Sequence, residues 1–170
     1  MLRAENDSIF ASSDFGQSWQ GTLTDFYSLN GLKRLDDGSL ILFGSETYRS
    51  LDGLNWQQIT QSGDYLGIAT GVESGNAFLA AGASGIYHTI QNNTKFEPSQ
   101  NGFIGSRVYA MATMPDGKLI ASTYFGGLWS SNNNGLNWTK MQGPLLQYNY
   151  SIIWRIQVSN ATHLVFLSAA

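Results

Sequence analysis

The 170-residue sequence contains no cysteine, which excludes disulfide bonds and thiolate metal sites. Charged residues are also scarce: Asp, Glu, Lys and Arg together make up 12% of the chain, and the formal net charge is −3. The nine Lys and Arg residues form no cluster that could follow a phosphate backbone. The sequence therefore argues against a nucleic-acid-binding protein.

Long apolar runs are missing as well. No stretch approaches the roughly 20 apolar residues that a helix needs to span a bilayer, and the start, Met1–Asp7, lacks the apolar segment of a secretory signal. The two histidines, His88 and His163, lie far apart and give no metal-ligand spacing. The residues therefore predict no membrane span, no metal and no cofactor, and they leave the localisation open.

Glycines and aromatic residues, by contrast, are abundant. The chain has 19 Gly, and its aromatic residues are 5 Trp, 8 Tyr and 9 Phe. Glycine-rich turns between short apolar runs, together with a low charge content, are typical of all-β proteins. A chain of 170 residues can bury one substantial core, so we expect residues 1–170 to form a single domain.

An eight-residue motif recurs along the chain: Ser or Thr, any residue, Asp or Asn, any residue, Gly, two residues of any type, and an aromatic. The four copies begin at Ser12, Ser50, Thr89 and Ser131; the second is one residue shorter and the third follows the pattern poorly. The third positions of the copies, residues 14, 52, 91 and 133, are 38, 39 and 42 residues apart. Regular spacing of this size indicates a repeat architecture.

Each copy of the repeat motif is predicted to form the turn of a β-hairpin. The Asp or Asn oxygen can accept hydrogen bonds from nearby backbone N–H groups, and the Gly can take a positive φ. The Ser or Thr adds a local hydrogen bond, and the aromatic residue starts the return strand and packs over its own hairpin. We interpret the following residues as structural and not catalytic: Ser12, Asp14, Gly16, Trp19, Ser50, Asp52, Trp56, Thr89, Phe96, Ser131, Asn133, Gly135 and Trp138.

The segments between the motifs predict four strands per repeat and no helix. A four-stranded antiparallel unit of about 40 residues is typical of a β-propeller, with one unit per blade. The expected blades are residues 26–62, 63–101 and 104–143, and a fourth is made from residues 150–170 combined with 6–24. In this shared blade, the strands Ile9–Ser12 and Leu164–Leu167 are expected to pair. Two closures remain open: a monomer closed as four blades, or a head-to-tail dimer closed as eight.

The motifs resemble Asp-box (BNR) repeats, which occur in sialidases, sortilin-type receptors, xyloglucan-degrading glycosidases and photosystem II assembly factors. The first copy, Ser12–Trp19, fits that pattern fully, and the fourth, Ser131–Trp138, fits it with Asn in place of Asp. The resemblance implies a propeller with the motifs at the blade peripheries, away from the ligand face. It also favours a secreted or cell-surface protein.

An intact sialidase is not expected. The resemblance implies that such an enzyme needs six blades, three arginines for the substrate carboxylate, a Tyr–Glu nucleophilic pair and an acid/base Asp. This chain has four units, five arginines and no Arg-Ile-Pro stretch, and Arg49 lies beside a motif on an outer strand. Likeness of fold does not by itself establish an activity.

The loops before the first strand and after the second strand of each unit share one face of a propeller, and aromatic residues are concentrated there. We expect this face to contact a glycan or protein ligand through Phe26, Tyr27, Tyr65, Tyr124 and Tyr148. Packing between blades is the alternative interpretation of these rings. Further aromatic residues on the same face are Phe103, Phe125, Tyr150 and Trp154.

Two carboxylates on this face, Asp25 and Glu46, provide a catalytic alternative. A glycosidase needs two carboxyl groups about 5–10 Å apart, and these two could approach each other, although solvated loop carboxylates are the simpler interpretation. The sequence therefore predicts a non-catalytic binding or scaffold propeller. A glycoside hydrolase of the sialidase or xyloglucanase type, or a segment of one, is the alternative, and a purely structural segment of a larger protein is the third hypothesis.

Overall fold

The computed structural model describes residues 1–5, 8–23, 28–61, 67–75, 77–90, 95–104, 107–124, 126–143, 152–159 and 164–169. This part of the chain is built from strands and turns and contains no helix. Accordingly, the described ranges hold no helix with the length and hydropathy required to cross a lipid bilayer. The predicted all-β class is confirmed.

The strands form five sheets that follow one another along the chain. The first sheet contains β1 (Leu2–Glu5), β2 (Ser8–Ala11) and β3 (Gln20–Leu23). The second contains β4 (Leu29–Arg34), β5 (Leu40–Gly44), β6 (Thr47–Ser50) and β7 (Gln57–Gln58). The third contains β8 (Thr60–Gln61), β9 (Ile68–Ser74), β10 (Ala77–Gly82), β11 (Gly85–Ile90) and β12 (Lys95–Pro98), with β8 parallel to β12 at one edge.

The fourth sheet contains β13 (Val108–Thr113), β14 (Leu119–Thr123), β15 (Gly127–Ser131) and β16 (Thr139–Lys140), and the fifth contains β17 (Ile152–Val158) and β18 (Leu164–Ala169). Apart from β8 and β12, neighbouring strands are antiparallel. Sequence order and spatial order agree within the second and fourth sheets, as expected for four-stranded meanders.

The strands β5, β10 and β14 are the most deeply buried of their sheets. Their central residues Ile41, Leu79 and Ile120 are at most 1% exposed. Both faces of these strands are covered by other parts of the protein. This is why they appear in the sequence as continuous apolar runs. A sheet with one solvent-exposed face would show alternating apolar and polar residues instead.

Four clusters of buried side chains join the sheets in order. Each cluster combines residues of two consecutive sheets, as one pair from each shows: Ile9 with Leu42, Phe43 with Phe78, Leu79 with Met111, and Ile120 with Ile156. The strands β4, β9, β13 and β17, which we call the inner strands, also lie next to one another in this order. Sheets stacked around a succession of inner strands form a β-propeller, so the predicted fold is confirmed.

One predicted strand pairing differs from the structure. The strand β2, which contains Ile9, is bonded to β1 on one edge and to β3 on the other, so it does not pair with Leu164–Ala169, which pairs with β17. Pairing β2 with the adjacent β1 closes a loop of a few residues, whereas pairing it with β18 would close one of about 150 residues at a higher entropy cost. Residues 2–5, which form β1, carry no strand in the sequence-based prediction.

Candidate functional site

The ends of the inner strands define two faces of the propeller. The inner strands begin at one face, which we call the loop face, and β5, β10 and β14 end there. Backbone hydrogen bonds close this end of the sheets: Tyr124 N–H donates to Arg107 O at 2.8 Å, and Ser45 N–H donates to Ser28 O at 3.1 Å. The repeat motifs follow β2, β6, β11 and β15 at the opposite end, which we call the motif face.

The first repeat motif forms a closed hydrogen-bond network around one carboxylate. Ser12 Oγ donates to Asp14 Oδ1 at 2.8 Å and accepts from Gly16 N–H at 2.8 Å. Ser18 donates twice to Asp14, from its backbone N–H at 2.9 Å and from Oγ at 2.6 Å. These bonds, those from Ser18 first, hold the pKa of Asp14 well below its ordinary value. A carboxylate whose oxygens are occupied in this way stabilises a turn and is a poor candidate for catalysis.

The second motif repeats this arrangement with one residue fewer. Ser50 Oγ donates to Asp52 Oδ1 at 3.0 Å and accepts from Gly53 N–H at 2.8 Å. Asp52 also accepts from the backbone and side chain of Asn55, at 2.8 and 2.7 Å, and from Leu54 N–H at 2.8 Å. These bonds, with those from Asn55 first, lower the pKa of Asp52 strongly.

The fourth motif builds the same turn without a charge. Ser131 Oγ donates to Asn133 Oδ1 at 3.0 Å and accepts from Gly135 N–H at 3.0 Å, and Asn133 Oδ1 accepts from Asn137 N–H at 2.9 Å. The third motif is different: Thr89 Oγ1 accepts from Phe78 N–H at 2.9 Å, and residues 91–94, at its centre, lie outside the described ranges.

The motif tryptophans differ in what they contact. Trp19 Nε1 donates to Gly16 O of its own turn at 3.1 Å. Trp56 Nε1 instead donates to Thr22 Oγ1 of the preceding sheet at 3.2 Å, and Trp138 Nε1 donates to Ser99 O, just after the preceding sheet, at 2.9 Å. The expectation that each ring packs over its own hairpin is therefore incomplete, because two of the three also link consecutive blades.

Four of the five predicted ligand-contacting residues lie outside the described residues: Phe26, Tyr27, Tyr65 and Tyr148. Asp25, one of the two carboxylates of the catalytic alternative, also lies outside them. Tyr124, which follows β14, is at the loop face and is 42% exposed.

Glu46 lies in the loop between β5 and β6, at the loop face of the second sheet. Its Oε2 accepts a 2.5 Å hydrogen bond from Tyr48 Oη. Burial, followed by this hydrogen bond, raises the pKa of Tyr48 to about 12.

Tyr124 belongs to a group of three rings that we call the aromatic cluster: Tyr109, Tyr124 and Trp154. The ring centroids of Tyr109 and Trp154 are 4.6 Å apart and those of Tyr109 and Tyr124 are 6.0 Å apart, with 59° between the ring planes in both pairs. The guanidinium carbon of Arg107 lies 5.9 Å from the centroid of the Tyr109 ring. Trp154 remains 48% exposed, so the cluster presents ring surface and one positive charge to solvent.

Bulges in two inner strands bring this cluster together. In β13, Val108 pairs with Thr123 and Ala110 with Ser122, which leaves Tyr109 as an extra residue. In β17, Trp154 is the extra residue between Ile153 and Arg155. Bulges re-aim side chains and are frequent beside binding sites. Because the fourth and fifth sheets are neighbours, the two bulged residues meet, although they are 45 positions apart in the chain.

Sequence reasoning missed Arg107 and Tyr109, and it named Trp154 only as one of the aromatic residues on the face. A signal for the second bulge does exist. Ile153, Ile156 and Val158 all pack toward the fourth sheet, and their spacing of three and then two breaks the alternation of a regular strand. Apolar spacing does not reveal the bulge at Tyr109, because the apolar residues of β13 pack into two different cores, one toward the third sheet and one toward the fifth.

The chemistry available at the aromatic cluster is stacking, hydrogen bonding and one charge. Across the described ranges, no group of three or more His, Cys, Asp or Glu side chains is placed to hold a metal ion. The cluster contains tyrosine and tryptophan, and Arg107 lies beside it. These side chains suit contact with a ligand better than proton transfer near neutral pH.

A separate cavity of about 560 Å³ lies at the motif face, between the first and second motifs. Apolar side chains line much of it, among them Leu2, Leu32 and Leu54. Its two charged groups are already hydrogen-bonded within the protein: the Met1 amine donates to Ser12 O at 2.7 Å, and Asp52 accepts from its own turn. We therefore place the candidate site at the aromatic cluster.

Comparison with known proteins shows the fold. No family model and no curated protein matches the chain. A structure of YCF48 bound to a D1 peptide is 22% identical, with a TM-score of 0.69 over 96% of this chain and 55% of that one. The WD40 β-propeller domain of Doa1 is 10% identical, with a TM-score of 0.66 over 98% and 59%.

A glycoside hydrolase structure is similar too. The GH74 enzyme of Niastella koreensis is 20% identical, with a TM-score of 0.56 over 88% of this chain and 23% of that one. The chain thus spans little more than half of YCF48 and of the Doa1 structure, and about a quarter of the GH74 enzyme. These likenesses establish a β-propeller fold and no activity.

Proposed function

We propose that the protein is a non-catalytic binding propeller that recognises its ligand through the loop face. The observation that carries this proposal is the aromatic cluster, in which Tyr124 and Trp154 stay exposed to solvent while a half-buried neighbour, Tyr109, holds them. Large exposed rings held in fixed positions lose little entropy on binding and give a broad contact area. We include Phe26, Tyr27, Tyr65 and Tyr148 in the proposed ligand surface.

The ligand is either a protein segment or a glycan. YCF48, which has a similar fold, has been observed with a bound peptide, and the GH74 enzyme belongs to a class of glycoside hydrolases. Both kinds of ligand use aromatic side chains of the type found in the cluster.

The alternative is a glycoside hydrolase that uses Asp25 and Glu46, and the similarity to the GH74 enzyme favours it. A retaining or inverting mechanism needs a second carboxyl group across the sugar from Glu46. The hydrogen bond from Tyr48 Oη holds the Glu46 carboxylate in a fixed orientation. In this alternative Asp25 supplies the second carboxyl group.

Binding and turnover measured on the same samples test the two functions. Peptide and glycan arrays should show binding that is lost in Trp154→Ala and Tyr124→Ala and retained in Leu136→Ala, a matched control on the motif face whose side chain is 60% exposed. None of the glycans should be cleaved. Turnover of a glycoside that disappears in Glu46→Gln or Asp25→Asn would replace the binding function by the hydrolase.

Two finer proposals accompany this function. We propose that the repeat motifs are Asp-box repeats, since three of them share the serine-to-glycine hydrogen bond. We also propose that residues 1–170 act as one propeller unit that is closed as four blades within one chain or as eight blades by two chains. In both closures, β18 would have to replace β1 as the neighbour of β2. The molar mass in solution distinguishes the four-blade monomer from the eight-blade dimer.

A further inference from the structure

The bulge in β13 is one of four at corresponding positions. Each inner strand contains one extra residue near its loop-face end, after its first or second paired residue: Asn30 in β4, Ala69 in β9, Tyr109 in β13 and Trp154 in β17. We call these four the bulge row. Since the blades follow one another around the propeller, the same position recurs from blade to blade along the loop face.

A bulge residue is released from the packing that constrains the rest of its strand. In β13, Val108 packs toward the third sheet and Ala110 toward the fifth, so Tyr109 between them belongs to neither core. In β17, Ile153 and Ile156 pack toward the fourth sheet, and Trp154 is again left out of the core. Asn30, Ala69 and Trp154 are exposed, and Tyr109 is half-buried because it contacts the other rings of the aromatic cluster.

Hydrogen bonds from the preceding sheet hold two of the bulges in place. Asn30 Nδ2 donates at 2.6 Å to the carbonyl of Ile68, the residue before Ala69. Ser122 Oγ donates at 2.8 Å to the carbonyl of Ile153, the residue before Trp154. A bulge locally disrupts the strand ladder, and these bonds satisfy carbonyls beside the disruption. The row is therefore a set of fixed positions whose side chains are not dictated by the core.

We propose that the bulge row is the specificity-determining surface of the loop face, and that its aromatic end binds a proline or aromatic side chain of an extended peptide. This inference rests on the proposed binding function and names its ligand class. An extended peptide presents side chains at regular intervals, and the bulge row presents one residue per blade to contact them. In this proposal, Tyr109 and Trp154 bind one ring side chain of the peptide. The small side chain of Ala69 leaves room for a neighbouring peptide residue, and Asn30 contacts a polar group of the peptide.

The ring geometry favours a peptide over a sugar. The planes of Tyr109 and Trp154 meet at 59° with centroids only 4.6 Å apart, and Tyr124 meets Tyr109 at the same angle. Rings inclined at 59° do not form a flat platform for a pyranose face, whereas the angle between them can accept the edge of one proline or aromatic side chain. Grooves between aromatic side chains are the sites at which proline-containing segments bind in several recognition domains.

Selection with displayed random dodecapeptides tests the inference. Peptides that bind the full chain should be enriched in Pro, Phe, Tyr or Trp at one position. Synthetic copies should lose affinity roughly tenfold or more in Trp154→Ala and Tyr109→Ala and bind Leu136→Ala normally. Ala69→Trp provides a gain of function that unfolding cannot mimic, because Ala69 is exposed. Peptides selected on this variant should carry a second ring residue at a fixed spacing from the first.

The remaining outcomes separate this inference from the function on which it rests. Peptide binding that is lost in Tyr124→Ala but unaffected by Trp154→Ala, Tyr109→Ala and Ala69→Trp would overturn the bulge row and leave the binding propeller standing. If no peptide is selected and a glycan binds in a way that Trp154→Ala abolishes, the peptide would be the wrong ligand class, but the binding propeller would stand. Absence of any peptide or glycan binding at the loop face would overturn both.

Discussion

The first and fourth repeat motifs have the same turn but place their tryptophans in different environments. In both, a serine Oγ accepts from a glycine N–H and donates to the third residue of the motif. Trp138 is 3% exposed, packs against Phe103 and donates to Ser99 O. Trp19 is only partly buried, and its Nε1 donates to Gly16 O within its own turn.

The difference shows that the motif specifies the turn and that the neighbouring blade specifies the role of the ring. Residues 99–103, between the third and fourth sheets, supply a carbonyl and an aromatic ring for Trp138. In the fourth blade the motif therefore also links two blades.

The largest effect is expected from removing the two rings. Trp138→Ala should lower the free energy of unfolding by about 3–5 kcal/mol because it empties a buried, hydrogen-bonded site. Trp19→Ala should cost about 1–2 kcal/mol because the ring is partly exposed, so its removal empties less buried space. Denaturant unfolding of both variants measures the difference. Equal losses would contradict the idea that the depth of burial decides how much each ring contributes.

The serine of each motif should have a smaller effect. Ser131→Ala removes the acceptor of Gly135 N–H in a buried turn and should cost about 1–3 kcal/mol. Ser12→Ala should cost about 1 kcal/mol because water reaches the first turn more easily. Thermal melts of the two variants, with Asn132→Ala as an exposed control in the fourth motif, measure these losses.

The third position of the motif makes only some turns sensitive to acid. The lowered pKa values of Asp14 and Asp52 mean that the unfolded state takes up protons more readily than the folded one. Their contribution is fully present above the unfolded pKa of about 4 and is lost as the pH falls toward the folded values. Asn133 cannot titrate, so the fourth turn should not respond.

Exchange of these residues tests the acid sensitivity directly. Between neutral and acidic pH, the Tm of the double variant Asp14→Asn with Asp52→Asn should fall less than that of the parent protein. The Tm of Asn133→Asp should fall more. An identical pH profile for all three proteins would show that the carboxylates contribute nothing beyond what the neutral amide supplies.

The smallest effect concerns two residues with positive φ. Phe15 and Asn134 take φ values of 58° and 56°, and the Phe15 side chain is 92% exposed. Phe15→Gly should stabilise the protein by about 0.5 kcal/mol because it relieves a backbone conformation unfavourable for phenylalanine. Asn134→Gly should destabilise it slightly because Asn134 Oδ1 accepts a 3.0 Å hydrogen bond from Ser74 Oγ. Thermal melts of both variants should show opposite signs.

The fold was predictable because its signals are local and repeated. The motif spacing indicated the repeat length, and apolar runs such as Leu40–Phe43 and Leu119–Ala121 marked the buried strands. The strand β1 was missed because Leu2–Glu5 is short, carries Arg3 and Glu5, and shows no apolar alternation. The pairing of β2 with β1 therefore also escaped prediction.

The candidate site was less predictable because it depends on strand register. Tyr124 was identified from its place in a loop, but Tyr109 lies within a strand and reaches the loop face only through a bulge. A bulge shows itself as a shift between two strands, and one strand's sequence does not contain that shift. Contact between Tyr109 and Trp154 also requires knowing that their blades are adjacent.

The succession of cores between neighbouring sheets has a consequence for how the protein comes apart. Each of the four described clusters is shared by two consecutive sheets, so the loss of one sheet removes the contacts of its neighbours and leaves more distant clusters intact. Stability then behaves as a series of nearest-neighbour couplings. Under mechanical load the blades should separate one interface at a time, and force-extension traces should show discrete steps of about one repeat in length.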